Sequence, residues 1–273
     1  MTTPQLSVQL YSVDDQLAED LDGTLRRLAG LGLRQVEAFD FVRRASELRT
    51  ALDRHGLVAR TGHATFLSDE LRFGDSVVAV PPRAETFSAA RELGLSIVID
   101  AFVPPARWAD AAEIERTASL LNAAAAEAAE HGLRVGYHNH AHEFAHEFDG
   151  RSGYELLVGR LDEAVVLELD AYWAAVAGQD VPALLGRLGD RVRAVHVKDG
   201  PLPQEDPLSS GAPFDPAALG QQPAGRGEVP LGLILDAAVA IEYAVIEFDH
   251  YGGDVFDGIA QSIAYLRERG IRR

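Results

Sequence analysis

The sequence predicts an α/β protein, a single-domain (β/α)8 barrel, and three observations predict it. Short strand-like runs alternate with helix-forming stretches along the whole chain, strand then helix, eight times over. That alternation implies a parallel sheet, and eight such units in 273 residues suit a closed barrel. A Gly-Leu pair stands at four helix-to-strand joints, Gly32-Leu33, Gly56-Leu57, Gly94-Leu95 and Gly132-Leu133. Each glycine falls where a helix end needs a left-handed residue, and each leucine begins a strand. Finally, no G-x-G-x-x-G follows the first strand, which counts against an open doubly wound sheet. No linker divides the chain, so residues 1–273 are expected to form one domain.

In order, residues 6–11 alternate as a strand. Asp14 or Asp15 is placed to cap a helix over 17–31, with Leu21, Leu25 and Leu28 on one face. A strand at 36–39 carries Glu37 opposite Val36 and Ala38, and a helix follows over 45–55. The third strand is 57–63. Pro81-Pro82 opens a helix over 84–93, and the fourth strand is 95–102. Residues 109–131 are Ala-rich and strongly helix-forming, and Gly132 stops them. The fifth strand enters 133–140. A short helix at 153–160 leads to a strand at 165–170. Residues 174–188 read as helix, with Pro182 starting a second piece. Strand 191–198, a Pro/Gly/Ser-rich loop over 200–230, helix 231–241, strand 243–249 and helix 255–269 complete the chain.

Composition narrows the partners. Hydrophobic residues make up 47%, ordinary for a soluble globular protein. With no cysteine there is no disulfide framework and no thiolate metal site, which fits a reducing compartment. The N-terminus has no basic or apolar signal region, and no apolar run approaches the ~20 residues of a membrane span. A cytoplasmic protein with no membrane partner is the expectation. The formal charge of −17 repels polyanions and argues against nucleic acid.

Strand parity shows where chemistry gathers. Five of the nine histidines fall between His131 and His146. In the fifth strand Leu133, Val135 and Tyr137 share one face; Gly136, His138 and His140 share the other. The sixth strand leaves Glu168 and Asp170 inside, the seventh His196 and Lys198, and the eighth Glu247 and Asp249. All lie at C-terminal strand ends, where barrel enzymes carry their sites. Converging charges cost much desolvation unless paired, and a divalent cation is the simplest partner for carboxylates and imidazoles. The alternative is a structural network in which Lys198 neutralises the carboxylates. The deeper Glu168 reads most readily as packing, since Asp170 lies about 6–7 Å nearer the mouth.

The segments YHNHAHEF (137–144), LELDAYWAAVAGQD (167–180), VHVKDG (195–200), GRGEVPL (225–231) and VIEFD (245–249) resemble, in order and spacing, the xylose isomerase-like TIM barrel superfamily. The branch is that of sugar phosphate isomerases/epimerases, AP-endonuclease-like. The resemblance implies one divalent ion on strands five to eight, held through Glu, Asp, His and Glu. Asp170, His196 and Glu247 match the last three positions, and His138 stands where many relatives have Glu. Two imidazoles and two carboxylates suit Mn, Co, Zn or Fe, whereas Mg favours oxygen-rich sites. The resemblance also implies a small carbohydrate substrate, a keto-sugar or sugar phosphate. The metal polarises its carbonyl and a carboxylate removes the neighbouring proton, giving an enediolate. Catalytic candidates are Glu247, Lys198 and His138. Candidates for substrate binding are Glu37, His63 and His140, with Trp173 and Tyr172 as a stacking wall and Arg226 for an anionic group.

His142-Glu143-Phe144-Ala145-His146 spells H-E-x-x-H, but metalloprotease chemistry needs that motif on a helix. Here it follows a strand end and Asp149-Gly150 stops any helix, so a solvated loop, with at most one His facing the substrate, is expected. The leading function is a metal-dependent isomerase or epimerase. A lyase on the same substrates (a 3-keto-glycoside eliminase or inosose-type dehydratase) and a non-catalytic sugar-binding barrel are the alternatives. A homo-oligomer is left open.

Overall fold

In a computed structural model, residues 3–73, 76–203 and 214–271 are described. The predicted alternation resolves into eight parallel strands: β1 (Gln5–Val8), β2 (Gln35–Ala38), β3 (Val58–Ala64), β4 (Ile97–Asp100), β5 (Arg134–His138), β6 (Val166–Asp170), β7 (Val192–Val197) and β8 (Tyr243–Ile246). Each pairs with its sequence neighbour from β2 through to β8, and β8 pairs with β1. A parallel bridge between Gln9 and Glu37 joins the ends of β1 and β2 and closes the barrel. No described helix is long and apolar enough to cross a membrane.

Two layers of core follow from strand parity. Inside the barrel, Ile97, Ile99, Val166, Ala194, Tyr243 and Val245 pack as an apolar floor. The outward residues, among them Val98, Val135, Leu167 and Val195, join a continuous core with the helices. Those helices are α1 (Asp14–Glu19), α2 (Leu21–Gly30), α3 (Ala45–Arg54), α4 (Arg83–Leu93), α5 (Ala111–Glu130), α6 (Gly153–Val158), α7 (Ala171–Val176), α8 (Val181–Leu188), α9 (Leu231–Ala237) and α10 (Val255–Glu268). Gly32, Gly56, Gly94 and Gly132 all have positive φ, between 66° and 95°, as the Gly-Leu joints require.

Several boundaries differ for physical reasons. The helix expected over 17–31 is two helices, because Asp20 takes an extended conformation and its carboxylate accepts the Gly23 N–H at 2.8 Å. Asp20, not Asp14 or Asp15, is therefore the capping acid of this region. The helix expected from 174 starts at Ala171, since Asp170 accepts the Trp173 N–H at 2.9 Å and caps it. Pro182 does open the next piece, in the first turn of α8. Two hairpins went unread: Glu70–Phe73 with Ser76–Ala79, and Glu147–Phe148 with Arg151–Ser152. Residues 204–213 of the expected 200–230 loop lie outside the described residues.

Candidate metal and active site

The polar face of the barrel mouth is assembled by register. Glu168 stands beside His138 between β5 and β6, and Asp170 stands beside His196 between β6 and β7. The ladder slips between Leu167 and Glu168, and again between Val36 and Glu37 on the far side. Such irregularities re-aim side chains and concentrate near active sites. Here each one carries an inward glutamate. Asn139 locks this edge: its side chain accepts the Asp170 N–H at 3.0 Å and donates to the Asp170 carbonyl at 3.3 Å.

At the centre, three imidazoles meet one carboxylate oxygen. Glu168 Oε2 lies 2.6 Å from His63 Nε2, 3.0 Å from His138 Nδ1 and 3.1 Å from His196 Nε2. Glu37 Oε1 is 2.6 Å from His196 Nε2 and 3.2 Å from His63 Nε2, and accepts from the Gln9 amide at 2.9 Å. On the other side of His196, Nδ1 lies 2.5 Å from Glu247 Oε2. Lys198 Nζ lies 2.8 Å from Glu247, 3.0 Å from Asp170 and 3.1 Å from Asp249. Asp249 is itself held by Gln221, whose amide donates to Oδ2 at 2.7 Å.

Burial and neighbours set the charges. Burial opposes the Lys198 ammonium, but Asp170, Asp249 and Glu247 outweigh it and hold its pKa well above the usual lysine value. His196 is likewise pushed down by burial and up by more through Glu168, Glu247 and Glu37, ending well above an ordinary histidine. His138 goes the other way: burial, with the His196 charge, lowers it to about 3. Burial raises Asp170 to about 6 against the pull of Lys198. It also raises Glu37, with Glu168 adding repulsion. For Glu168 and Glu247 burial acts upward, yet the cations around them win and both end well below the carboxylate range.

The residues present fit a divalent metal. Buried oxygens of Glu37 (Oε2) and Glu168 (Oε1) have no hydrogen-bond partner among the described residues, whereas Asp170 Oδ2 is met by the Lys198 ammonium at 3.0 Å. Unpaired buried acceptors of this kind are costly unless something else satisfies them. Donor atoms of His63, His138, Glu168 and His196 lie within 4.8 Å of one another, and so do those of Asp170, His196 and Glu247. Ligands about 2.0–2.2 Å from a common ion subtend separations of this size.

All four expected ligands, His138, Asp170, His196 and Glu247, thus reach the mouth and are buried, but they divide into two groups that share His196. Glu168, read from depth alone as packing, is the hub of the first group, and His63, read as a substrate contact, belongs to it. Glu37 also sits in this centre, bonded to His196. Trp173 is 1% exposed, its indole N–H has no partner among the described residues, and its ring lies 6.0 Å from His140. Tyr172 turns aside, donating its hydroxyl to the Pro201 carbonyl at 3.1 Å. Arg226 is not brought to the cluster; it is exposed and lies beside Gln261 and Glu268 of α10.

The H-E-x-x-H stretch is not a solvated loop throughout. Glu143 is fully buried and accepts the Tyr137 hydroxyl and the His140 N–H, both at 2.8 Å. His142 Nε2 lies 3.1 Å from the Val103 carbonyl, while His146 is exposed, so the two histidines do not share a ligand position. Asp199 was also missed. Its carboxylate accepts N–H groups from Gly200, Gly225 and Val229 at 2.9, 2.8 and 3.1 Å, tying the end of β7 to the 225–229 loop. The signal was present: VHVKDG and GRGEVPL are two halves of one clamp.

A closed parallel barrel with a buried imidazole–carboxylate centre at the C-terminal ends of its strands defines a class of barrel protein. The chain belongs to the xylose isomerase-like TIM barrel family, which residues 25–269 match. No curated protein matches the chain. Among solved structures it is similar to a sugar phosphate isomerase/epimerase from Parabacteroides distasonis, with 20% identity, TM-score 0.78, and 100% and 96% of the two chains covered. It is also similar to the probable 3-DHS dehydratase AsbF from Bacillus anthracis (13% identity, TM-score 0.69, 97% and 99% covered). A third is the IOLI protein with a binding zinc atom (15%, 0.67, 97% of each chain).

Proposed function

We propose that the protein is a divalent-metal-dependent isomerase or epimerase of a small keto-sugar or sugar phosphate. The observation that carries this reading is the convergence of three buried imidazoles and buried, partly unsatisfied carboxylates at the barrel mouth. His63, His138, Glu168 and His196 would hold the ion, with Asp170 and Glu247 on the other side of His196. Bound there, the ion would polarise a substrate carbonyl and acidify the adjoining C–H. Mn, Co, Zn or Fe suits this mixed donor set better than Mg.

The remaining roles follow from the chain's own groups. Glu247 lies between His196 and Lys198, and in this reading it would take or return the carbon-bound proton. Lys198, kept as an ammonium by three carboxylates, stabilises negative charge developing on a substrate oxygen and keeps Glu247 and Asp249 in place. Trp173 and His140 offer an apolar wall whose unpaired Trp173 Nε1 and His140 Nδ1 are matched to sugar hydroxyls. The likeness to a dehydratase, and an ammonium beside the acid/base carboxylate, favour the lyase as the second reading. In that reading the enediolate's electron pair would form the new double bond as the β-oxygen leaves, and the Lys198 ammonium would supply the leaving oxygen with its proton.

Elemental analysis of the purified protein should find about one divalent ion per chain. A keto-sugar panel in D2O should show metal-dependent deuterium incorporation beside the carbonyl. A metal-free protein whose stability and activity do not respond to Mn, Co or Zn would sink the proposal. New stereochemistry or carbonyl position marks the isomerase/epimerase, and an unsaturated product marks the lyase.

A further inference from the structure

A second polar cavity lies outside the barrel-mouth centre. It has a volume of about 520 Å³ and opens between the segment after β3, the start of α4 and the first half of α5. Arg83, Arg107 and Arg116 all line it, in a chain whose formal net charge is −17. None of its lining residues belongs to the His196 cluster.

Arg107 is the informative one. Its Nη1 donates to the Leu67 carbonyl at 3.0 Å. That carbonyl is itself fixed, because buried Asp100 accepts the Phe66 and Leu67 N–H groups at 2.7 and 3.0 Å. The guanidinium plane is therefore set before any ligand arrives. Its other edge, Nε and Nη2, is buried and has no hydrogen-bond partner among the described residues. Those two N–H groups point the same way and form the side-on fork that matches the two oxygens of a carboxylate or phosphate. The acids nearby do not use it: Glu113 lies 3.6 Å from Arg116, and Asp69 lines the cavity but makes no ion pair with Arg107 among the described residues. Burial, with Arg116, works against the Arg107 charge and outweighs the support of Asp100 and Glu113, so its pKa lies below the usual arginine value. Val80, Pro81 and Leu120 give the cavity an apolar side, and its size is that of a small-molecule site.

We propose that this cavity binds the oxyanion group of a small molecule, a phosphate or carboxylate, through the side-on fork of Arg107, with Arg83 (paired to Glu127 at 3.3 Å) and Arg116 (3.6 Å from Glu113) at its edge. The site is independent of the metal centre and of the reaction assigned to it.

The test uses the full chain, titrated with inorganic phosphate, with a hexose phosphate and with acetate. Calorimetry and the arginine Nε–H resonances report binding. Saturable binding that shifts the Arg107 Nε–H signal is expected. Arg107→Lys keeps the charge but loses the fork, and should weaken binding about tenfold, the equivalent of one charge-assisted hydrogen bond. Arg116→Gln, at an exposed position, should weaken it less and leaves the Leu67 contact intact. A hexose phosphate that binds tighter than inorganic phosphate names an ester as the ligand, equal binding names free phosphate, and acetate matching both names a carboxylate. No saturable binding of any of the three probes, or binding that Arg107→Lys and Arg116→Gln leave unchanged, overturns the proposal.

Discussion

At the scale of single residues, the proposed centre turns on which carboxylate would hold the ion. Lys198 already lies within hydrogen-bond reach of Asp170, Glu247 and Asp249, so that side of His196 carries its own cation. Glu168 is surrounded only by imidazoles, and one of its oxygens is unpaired. Glu168→Gln should therefore cut metal occupancy sharply, with rate lost in proportion to metal. Glu247→Gln should leave more of the metal in place and stop deuterium exchange into substrate, with the loss of about 10²–10⁴-fold typical of a missing general base. If instead Glu247→Gln empties the site and Glu168→Gln does not, the ion sits with Asp170, His196 and Glu247. Near-normal metal and turnover in both variants would mean that the site has been assigned to the wrong residues. Glu143→Gln is the contrasting case. It weakens a buried acceptor of two hydrogen bonds, so a stability loss of about 1–3 kcal/mol is expected. Metal content should not change, and a loss of metal would place Glu143 in the ligand set after all.

At the scale of elements, strand parity and loop clamps explain what was legible. The last four strands alternate cleanly, so the inward set His138, Asp170, His196, Lys198 and Glu247 could be read from spacing alone. Glu168 was legible as inward too, but its role as the hub was not. His63 and Glu168 lie on β3 and β6, which are not neighbours, and meet across the barrel 105 residues apart. The register slip at Leu167/Glu168 has no sequence signature either. Local periodicity reports which face a residue takes, not what it meets across the interior. The loop clamp on Asp199 shows the same limit: both motifs were visible, but their contact was not. A Cβ on Gly227 would lie 2.2 Å from Asp199 Oδ1 and 2.2 Å from the Gly200 nitrogen, so the loop has no room for it. Gly227→Ala should therefore displace the 225–229 segment and destabilise the protein by the several kcal/mol that overpacking against backbone can cost, at least about 1–3 kcal/mol. Gly30→Ala, at a helical glycine with open space around it, serves as the control and should be neutral or mildly stabilising. Equal melting temperatures for the two variants would show that the clamp is dispensable.

At the scale of the whole molecule, the proposed metal centre would be a cross-link as well as a reaction site. Its first group draws His63 from β3, His138 from β5, Glu168 from β6 and His196 from β7, so an ion there ties together strands from opposite sides of the barrel. The far end has a link of its own: Arg134 at the start of β5 donates to both carboxylate oxygens of Glu242, just before β8, at 2.7 Å each. That pair is over a third exposed on the arginine side and is worth at most about 1 kcal/mol. The ion's effect should be larger, because it binds the folded chain and not the unfolded one. At a free concentration of 100 times the dissociation constant, such binding stabilises by about 2.7 kcal/mol. For a chain of this size that corresponds to a rise of roughly 5–11 °C in melting temperature. Thermal scans after chelation, and after adding back Mn, Co or Zn, should differ by that amount and should depend on metal concentration. In Glu168→Gln the metal-dependent part of the shift should largely vanish, while the chelated proteins melt close together or with the variant slightly higher, since one buried charge has gone. A melting temperature that ignores every divalent ion over a wide concentration range would show that the four buried ligands form a self-satisfied network, with protons in place of the metal.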